Sequence, residues 1–555
     1  MSDEYKPYIY AQPEDLVWFK DAKFGVFIHW GPSSIAEVPI GWGRFGPRPG
    51  AGKQATNGVP KEKYDSLYTI FNPVKFNADE WINMINKSGA KYLIFTTKHH
   101  DGFCMFDAHN TDYKITNTPF GRDIAKELAD ACHAQGIKLF WYYSQPDWHH
   151  PDCLTENNDR YRDYMYEHLH QLLTEYGKID GIFFDHLGTK SKDWDTPRLL
   201  KMIRTLQPDI IINKRWGGNM PDINVNGDYD TPEQEIGHFQ IDRPWETCAT
   251  MATAWSWTGG EKVKSYQTNL RLLLQCAGAG GNLALNTGPR PDGSIFAPEY
   301  QNYISIGKWL ANNGESIYGT TGGPYKPGPW GVSTRKENKI YLHILTDFAN
   351  NSKREFELAD PGFKIIDSRS LEGNPIFFSQ ENGVLRIKLI DSGSFSPDNI
   401  LELTIEGDAL QIEPIKTLPI EIIEGKKGFA SSFSQEHRSA EAVFGGDAES
   451  FAEGKKHKIW WEPKNGDKDL YMGFEFPKDV SFTWLTLSEQ IRNASIREFE
   501  LQYWDDDQWI SFFHGCEIGF DFSLKTDRIT TRKVRIVVLK TQENSNPNIS
   551  SFKIY

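Results

Sequence analysis

The sequence predicts an α/β protein, a (β/α)8-like barrel followed by two all-β sandwich domains. Four apolar runs have the composition of buried strands, and each is closely followed by polar residues suited to chemistry. These runs, with the polar residues after them, are 24–28 with His29, 92–97 with Lys98 to His100, 179–184 with Asp185, and 210–212 with Lys214 and Arg215. Parallel strands that close into a barrel bring such residues together at the C-terminal face.

Strand-like runs alternate with amphipathic helix-like segments from about residue 20 to about residue 320, which favours one parallel barrel over several small domains. The predicted helices span 78–88, 122–135, 158–176, 196–206 and 263–276, and further strands are predicted at 137–143 and in the Gly-rich run 280–288. Asp123 is placed to cap the start of the second of these helices. Gly136 follows its end, where a glycine typically stops a helix.

The pattern changes after the helix-like segment 299–311. Residues 319–331 are rich in Gly, Pro and Thr, and the short runs that follow alternate apolar with polar residues. This alternation is typical of antiparallel strands with one wet face. We therefore expect three domains. They are the barrel at 1–325, a β-sandwich at 326–415, and a further all-β module at 425–555.

Composition and charge limit the classes of function. The chain has 555 residues, so about two to four domains are expected. A formal net charge of −14 argues against nucleic acid or an anionic membrane as the main partner and favours a neutral one. None of the six cysteines forms a CxxC pair. No run approaches the roughly 18 to 20 apolar residues of a membrane span. The start lacks a signal-peptide pattern, so we expect a cytoplasmic protein, or a periplasmic or extracellular one if a signal peptide has been removed.

Four strings resemble one known family. They are Phe27–Gly31, Lys98–Phe103, Arg215–Gly217 and Gly281–Pro289, and they are supported by Trp245–Cys248 and Trp255–Trp257. In this order they are similar to the α-L-fucosidases of glycoside hydrolase family 29, over roughly residues 8–410. The resemblance implies removal of terminal α-L-fucose from a fucosylated oligosaccharide or polysaccharide, with retention of configuration and without a cofactor or metal.

Retaining glycoside hydrolysis needs two carboxyl groups about 5 to 5.5 Å apart, one as nucleophile and one as acid and then base. Asp185 is the nucleophile candidate because it ends an apolar strand whose burial would otherwise disfavour a charge. The resemblance agrees, although His186 stands where the family usually has Gly. For the acid/base, Glu233 occupies the loop on which the family places its proton donor. Glu246, at the start of a strand-like segment, is the alternative and also a candidate support or subsite residue.

The resemblance also implies a set of sugar-binding residues. His29, His99 and His100 are expected to bond the fucose hydroxyls, with Tyr142 lining the site and Arg215 reaching the ring or the nucleophile. Neutral imidazoles suit this role because each ring nitrogen can donate or accept. The register leaves Tyr143 open as an alternative to Tyr142.

One loop departs from the family pattern. Gly41 stands where the family has a Glu before its Trp, while Trp42 keeps the Trp and is expected to contact substrate. Three cations in this loop, Arg44, Arg48 and Lys53, either face an anionic substituent such as sulfate or form a solvated surface. A metal site at His99 to Asp101 or at 149–153 matches no zinc spacing.

The C-terminal module resembles a discoidin-type or family 32 carbohydrate-binding module, on the run 440–452, Trp460 with Trp461, and the terminal strand-like segment 549–555. Two alternatives to a fucosidase stay open. One is a related exo-glycosidase acting on α-L-galactose or on sulfated fucan oligosaccharides. The other is a catalytically silent carbohydrate-binding protein on the same scaffold.

Overall fold

The computed structural model describes residues 4–51, 58–217, 226–349, 352–371, 375–390, 398–416, 419–444, 449–452, 455–491, 494–543 and 545–555. The chain divides into two compact units. One comprises residues up to Asn269 together with Gly280–Thr320, and the other comprises Leu270–Ala279 together with Thr321–Tyr555. No helix among these residues is long and apolar enough to cross a membrane.

The first unit is built on a curled sheet of parallel strands. In chain order the strands are β1 Phe24–Ile28, β2 Tyr92–Lys98, β3 Lys138–Ser144, β4 Gly181–Asp185, β5 Ile211–Ile212, β6 Glu246–Thr250 and β7 Asn282–Thr287. They lie side by side in the order β5-β4-β3-β2-β1-β7-β6. Residues 229–233 form isolated parallel bridges to both outer strand regions, through Asn213 on one side and Trp245 and Cys248 on the other.

Helices connect these strands. In the first unit they span Val17–Ala22, Lys61–Asp65, Ala78–Ser88, Ile124–Gln135, Asn158–Thr174, Ser191–Trp194, Thr196–Leu206 and Ala297–Asn313, and the helix Tyr266–Gly278 begins there and runs into the second unit. Each helix expected from the sequence forms, with ends shifted by at most three residues. The local signals act as expected, because Asp123 accepts a hydrogen bond from Lys126 N at 2.9 Å and Gly136 has φ +72° at the helix end.

The interior of the curled sheet is filled by large side chains. Toward the amino ends of the strands, Phe19 from the first helix packs with Tyr92, Phe140 and Tyr229. Toward the carboxyl ends, Phe27 and Phe183 pack against Tyr142. An aromatic layer therefore fills the interior at the amino ends of the strands.

The second unit is all-β apart from short helical segments. One sheet contains Thr321–Gly322, Gly331–Lys336, Lys339–Ile344, Asn399–Ile405 and Ile365–Ser370, and a second contains Glu355–Ala359, Val384–Leu389 and Ile376–Glu381. A larger sheet contains Lys427–Ala430, Tyr471–Glu489, Phe522–Thr541, Ile496–Asp505 and Gln508–Gly515, with Asp347–Phe348 and Ile549–Ile554 paired to it. The helix Ala440–Phe444 and the hairpin of Glu449–Ala452 and Lys455–Lys458 complete it.

Two hydrophobic cores lie in this unit. The first two sheets share one core, and the large sheet covers the other. Both cores include side chains from the other region, since Trp484 and Tyr555 of the C-terminal region pack in the first core and Ala349 packs in the second. The two β regions expected as separate domains thus interlock within one compact unit.

Candidate active site

A cavity of about 630 Å³ opens at the carboxyl ends of the parallel strands. The structure brings to it most of the site residues expected from the sequence: His29, Trp42, His99, His100, Tyr142, Asp185, Arg215 and Glu233. Glu246 is the exception and does not line it. The convergence follows from topology, because the tips of neighbouring parallel strands meet at one edge.

Asp185 ends β4 at the centre of this cavity and is held from three directions. Tyr142 OH donates to Asp185 Oδ2 at 2.9 Å, His100 Nε2 lies 3.5 Å from the same oxygen, and Arg215 Nη1 lies 3.5 Å from Oδ1. Burial alone would raise the pKa of this carboxyl, but the His100 hydrogen bond and the charges of His100 and Arg215 hold that pKa well below its ordinary range. Asp185 is therefore ionised at neutral pH.

Three imidazoles form one wall of the cavity. His29 Nδ1 contacts Asn286 Oδ1 at 2.6 Å, and His100 Nδ1 contacts Ser144 Oγ at 2.5 Å, so β7 and β3 orient these two rings. Burial lowers the pKa of His29 to about 4, and burial together with His100 and His29 lowers that of His99 well below its usual range. His29 and His99 are thus neutral at pH 7, so each ring has one donor and one acceptor nitrogen. In His29 the Nδ1 is already bonded to Asn286, which leaves Nε2 for a substrate hydroxyl.

Tyr142 lines the cavity, whereas Tyr143 does not. The Tyr142 ring stacks on His99, with centroids 5.6 Å apart, and its hydroxyl reaches Asp185. Tyr143 points to the other face of the strand, where its hydroxyl lies 3.0 Å from His168 Nδ1. Alternation along β3 explains the difference.

One guanidinium joins the two candidate catalytic carboxyl groups. Arg215 Nη1 donates to Glu233 Oε2 at 3.0 Å and lies 3.5 Å from Asp185 Oδ1. Because both oxygens are held by one nitrogen, they cannot be farther apart than these two distances added, which is 6.5 Å. Arg215 is fixed in turn by Thr231, through Nε to Oγ1 at 3.0 Å and Nη2 to the carbonyl at 3.1 Å.

Glu246, expected as a substrate-binding residue and as the alternative acid/base, lies away from the cavity. It is the first residue of β6, is fully buried, and accepts a hydrogen bond from Tyr92 OH near the amino ends of the strands. Cys248, on the same face two residues later, does line the cavity. Glu246 therefore points to the same interior as Cys248 but lies about 6.6 Å closer to the amino ends of the strands, at about 3.3 Å per residue.

The loop after β1 is held by its own cations. Arg44 is buried and donates to both carboxylate oxygens of Asp65, at 2.6 and 2.8 Å. The Arg48 guanidinium lies over the rings of Trp42 and Trp148, 5.2 and 5.3 Å from their centroids. Neither cation lines the cavity. Lys53 lies outside the described residues.

Gly41 sits directly behind His99. It has φ +65°, and a Cβ placed on it would lie 2.8 Å from His99 Nδ1. Any side chain at this position would press on the imidazole, in a backbone conformation that favours glycine.

Several lining residues were not named as site candidates from the sequence: Phe27, Phe183, Leu187, Lys214, Asn226, Thr231, Cys248 and Trp255. Period-two alternation was the available signal for two of them, because Phe27 precedes His29 by two residues and Phe183 precedes Asp185 by two. Trp255 contributes a ring 4.9 Å from that of His29. His186, noted as a departure from the family pattern, also lines the cavity.

No group of three or more His, Cys, Asp or Glu side chains suited to a metal ion occurs within the part of the chain that the structure describes. The cavity offers an ionised carboxylate, a second carboxyl group beside it, neutral imidazoles and aromatic faces. A carboxyl pair of this kind over a sugar-sized pocket, on a curled parallel α/β sheet, is that of a glycoside hydrolase.

Comparison with known proteins identifies the family. The family model described as alpha-L-fucosidase matches residues 4–315, more than half of the sequence, and the chain therefore belongs to the α-L-fucosidase family, glycoside hydrolases that release fucose. An α-L-fucosidase of Dictyostelium discoideum is 28% identical over 379 residues, which cover 63% of this chain and 79% of that protein. The plasma α-L-fucosidase of Homo sapiens is 28% identical over 356 residues, covering 59% and 75%.

Solved structures agree. Alpha-L-fucosidase isoenzyme 1 from Paenibacillus thiaminolyticus has a TM-score of 0.63 and 33% identity, covering 71% of this chain and 99% of that one. An α-L-fucosidase from Vibrio sp. strain EJY3 has a TM-score of 0.66 over 98% of this chain and 99% of its own, at 19% identity. The second likeness shows that a similar fold extends through the β regions.

Proposed function

We propose that this chain is an exo-acting, retaining α-L-fucosidase in which Asp185 is the nucleophile and Glu233 the acid and then the base. The observation that carries the proposal is the single Arg215 nitrogen between the two carboxyl groups, which keeps their nearest oxygens within 6.5 Å. Retaining enzymes hold their carboxyl groups about 5 to 5.5 Å apart, whereas inverting enzymes need about 6.5 to 9.5 Å to admit a water.

In the first step an Asp185 oxygen attacks the anomeric carbon while the glycosidic bond breaks, and the proton of Glu233 goes to the departing oxygen. In the second step Glu233 takes a proton from water, the water attacks the same carbon, and Asp185 leaves as a carboxylate. Tyr142, His100 and Arg215 stabilise that carboxylate, and His100 and Arg215 lower its pKa. Asp185 is therefore a good leaving group in the second step. His29 and His99, as neutral rings, are proposed to bond the fucose hydroxyls, and Trp42 to contact the sugar from the mouth.

The stereochemistry of the product tests the mechanism. The proton NMR spectrum of fucose first released from an aryl α-L-fucoside should show the α-anomer, which later mutarotates. A β-anomer formed first would overturn the double displacement.

Variants test the two carboxyl roles. Glu233→Gln should form the fucosyl-enzyme from a dinitrophenyl fucoside in a burst and then stall, and azide should restore turnover by giving fucosyl azide. Glu246→Gln is the matched control, with the same chemical change on a carboxyl group outside the cavity, and should keep its turnover. Azide rescue of Glu246→Gln alone would transfer the acid/base role to Glu246.

Two finer points of architecture are also proposals. The parallel bridges of residues 229–233 to Asn213, Trp245 and Cys248 support an eight-membered barrel in which this segment takes the place of a regular strand. The antiparallel sheet over one apolar core supports a discoidin-like module at 425–555. Trp461 is buried in that core, and Arg438 covers one face of the Trp460 ring.

A further inference from the structure

Gln234, the residue after Glu233, holds the loop to the end of β6 in an unusual way. Its side chain makes two hydrogen bonds to one residue, with Nε2 donating to Thr250 Oγ1 at 3.1 Å and Oε1 accepting from Thr250 N at 3.3 Å. Its φ is +54°, a left-handed conformation that only a few per cent of non-glycine residues adopt. Strained backbone of this kind persists only where the surroundings enforce it.

Backbone contacts continue the same attachment. Gln234 N donates to Cys248 O at 3.0 Å, and Cys248 N donates to Pro232 O at 3.1 Å, so Glu233 lies between two ladder bonds. Thr250 is itself buried, and the buried Lys264 Nζ donates to its carbonyl at 2.5 Å. The side chain of Gln234 thus fastens the loop to a fixed point of the sheet.

This attachment matters because Glu233 is 44% exposed and lies on a loop. The Glu233 carboxyl group accepts a hydrogen bond from Arg215, which also lies beside Asp185. The reach of the carboxyl group toward a leaving oxygen is then set by the backbone that carries it. A misplacement of about 1 Å can cost about a hundredfold in rate.

We propose that Gln234 is a positioning residue for the proton donor: its double hydrogen bond to Thr250 sets the placement of Glu233 over the leaving group. The proposal rests on the proposed function, in which Glu233 is the acid. A merely structural anchor would lower activity on every substrate alike. A positioning role predicts a loss that depends on how much the leaving group needs a proton.

The test compares two fucosides in the full-length protein. Phenyl α-L-fucoside leaves only with proton donation, whereas dinitrophenyl α-L-fucoside leaves with little help. General acid catalysis is worth about 10² to 10⁴ in rate, so Gln234→Met should lower kcat/KM for the phenyl substrate by about tenfold to a hundredfold. The same variant should keep kcat/KM for the dinitrophenyl substrate within about threefold, because Asp185 is untouched. The alkaline limb of the phenyl-substrate pH profile, which reports the acid, should shift.

Two further variants make the outcome decisive. Thr250→Val removes only the Oγ1 acceptor and should show the same selectivity at smaller size, which keeps the test open if Gln234→Met does not fold. Gln207→Met is the matched control, since Gln207 also accepts from a backbone N–H, of Ile179 at 2.8 Å, and donates to carbonyls, but at the amino ends of the strands. It should act on both substrates as the wild type does.

The two proposals fail separately. If Glu233→Gln loses the phenyl substrate selectively and Gln234→Met loses both substrates equally or neither, the positioning role is wrong and the acid assignment stands. If Glu233→Gln shows no selectivity, the acid assignment itself is wrong.

Discussion

The variant Glu246→Gln should be more stable than the wild type, by a margin that grows as pH rises, and it should keep its catalytic activity. Glu246 is fully buried, accepts a hydrogen bond from Tyr92 OH, and has its second oxygen, Oε1, without a hydrogen-bond partner among the described residues. Burial raises its pKa to about 8, which means that the folded protein holds this carboxyl group protonated at neutral pH. Glutamine has the same shape and is neutral at every pH.

The magnitude follows from the difference between folded and unfolded states. The unfolded chain loses this proton near the ordinary value of 4.5, and the folded protein keeps it to about 8. Between these values each pH unit costs the wild type about 1.4 kcal/mol of folding free energy, because the unfolded state has released a proton that the folded state still holds. The full loss is about 5 kcal/mol and is complete above the folded pKa. The glutamine variant does not suffer it.

The assay is urea denaturation of both proteins across the range from about pH 5 to about pH 8, with loss of turnover marking unfolding of the unit that holds the cavity. The stability difference should be small at the acid end and grow in favour of Glu246→Gln toward pH 8. kcat/KM should stay within about twofold of the wild-type value, because Glu246 does not line the cavity. A difference that is flat with pH would show that the carboxyl group is ionised or hydrated in the folded protein, and the reasoning from burial would be refuted.

Three other substitutions probe the site and its support. Tyr142→Phe removes a hydrogen bond to the ionised nucleophile, worth about 1.5 to 3 kcal/mol, so kcat/KM for dinitrophenyl fucoside should fall about tenfold to a hundredfold in steady-state assays. Gly41→Ala places a Cβ 2.8 Å from His99 Nδ1, so inhibition by free L-fucose should weaken and KM should rise. Asp147→Asn breaks the buried ion pair with Lys98, in which both side chains are at most 1% exposed, and should cost about 3 to 5 kcal/mol by thermal unfolding.

For each of these three substitutions, one result would contradict the reasoning. An unchanged rate in Tyr142→Phe would mean that the hydroxyl does not stabilise the nucleophile, and unchanged fucose inhibition in Gly41→Ala would mean that His99 does not contact the sugar. For Asp147→Asn the control is Asp130→Asn, which breaks an exposed pair with Lys126 and should change stability by less than about 1 kcal/mol. Equal losses in the two variants would contradict the argument from burial.

The meeting of the strand-tip residues could be foreseen from the sequence. Apolar runs ending in His29, His99 and Asp185 are local patterns, and parallel strand topology alone is enough to bring their ends to one edge. The face of a strand to which a side chain points is also set locally, because side chains alternate along the strand. Alternation therefore separates Tyr142 from Tyr143 once the register is known.

Depth along a strand could not be foreseen. Glu246 and Cys248 share a face of β6, and only the placement of the strand within the sheet decides which of them reaches the cavity. The same holds for Arg44, whose partner Asp65 is brought to it by the path of the intervening loop. Non-local contacts of this kind leave no periodic signal in the sequence.

The side chains exchanged between the two β cores bear on how this protein can be cut or recombined. Because Trp484 fills space in the core built by residues 325–412, a fragment that ends near residue 416 would carry a hole the size of an indole in its last β layer. The excised C-terminal fragment would in turn expose that indole to water. The C-terminal region is therefore not an interchangeable cassette, and a chimera that replaces it must supply an aromatic residue at the position of Trp484.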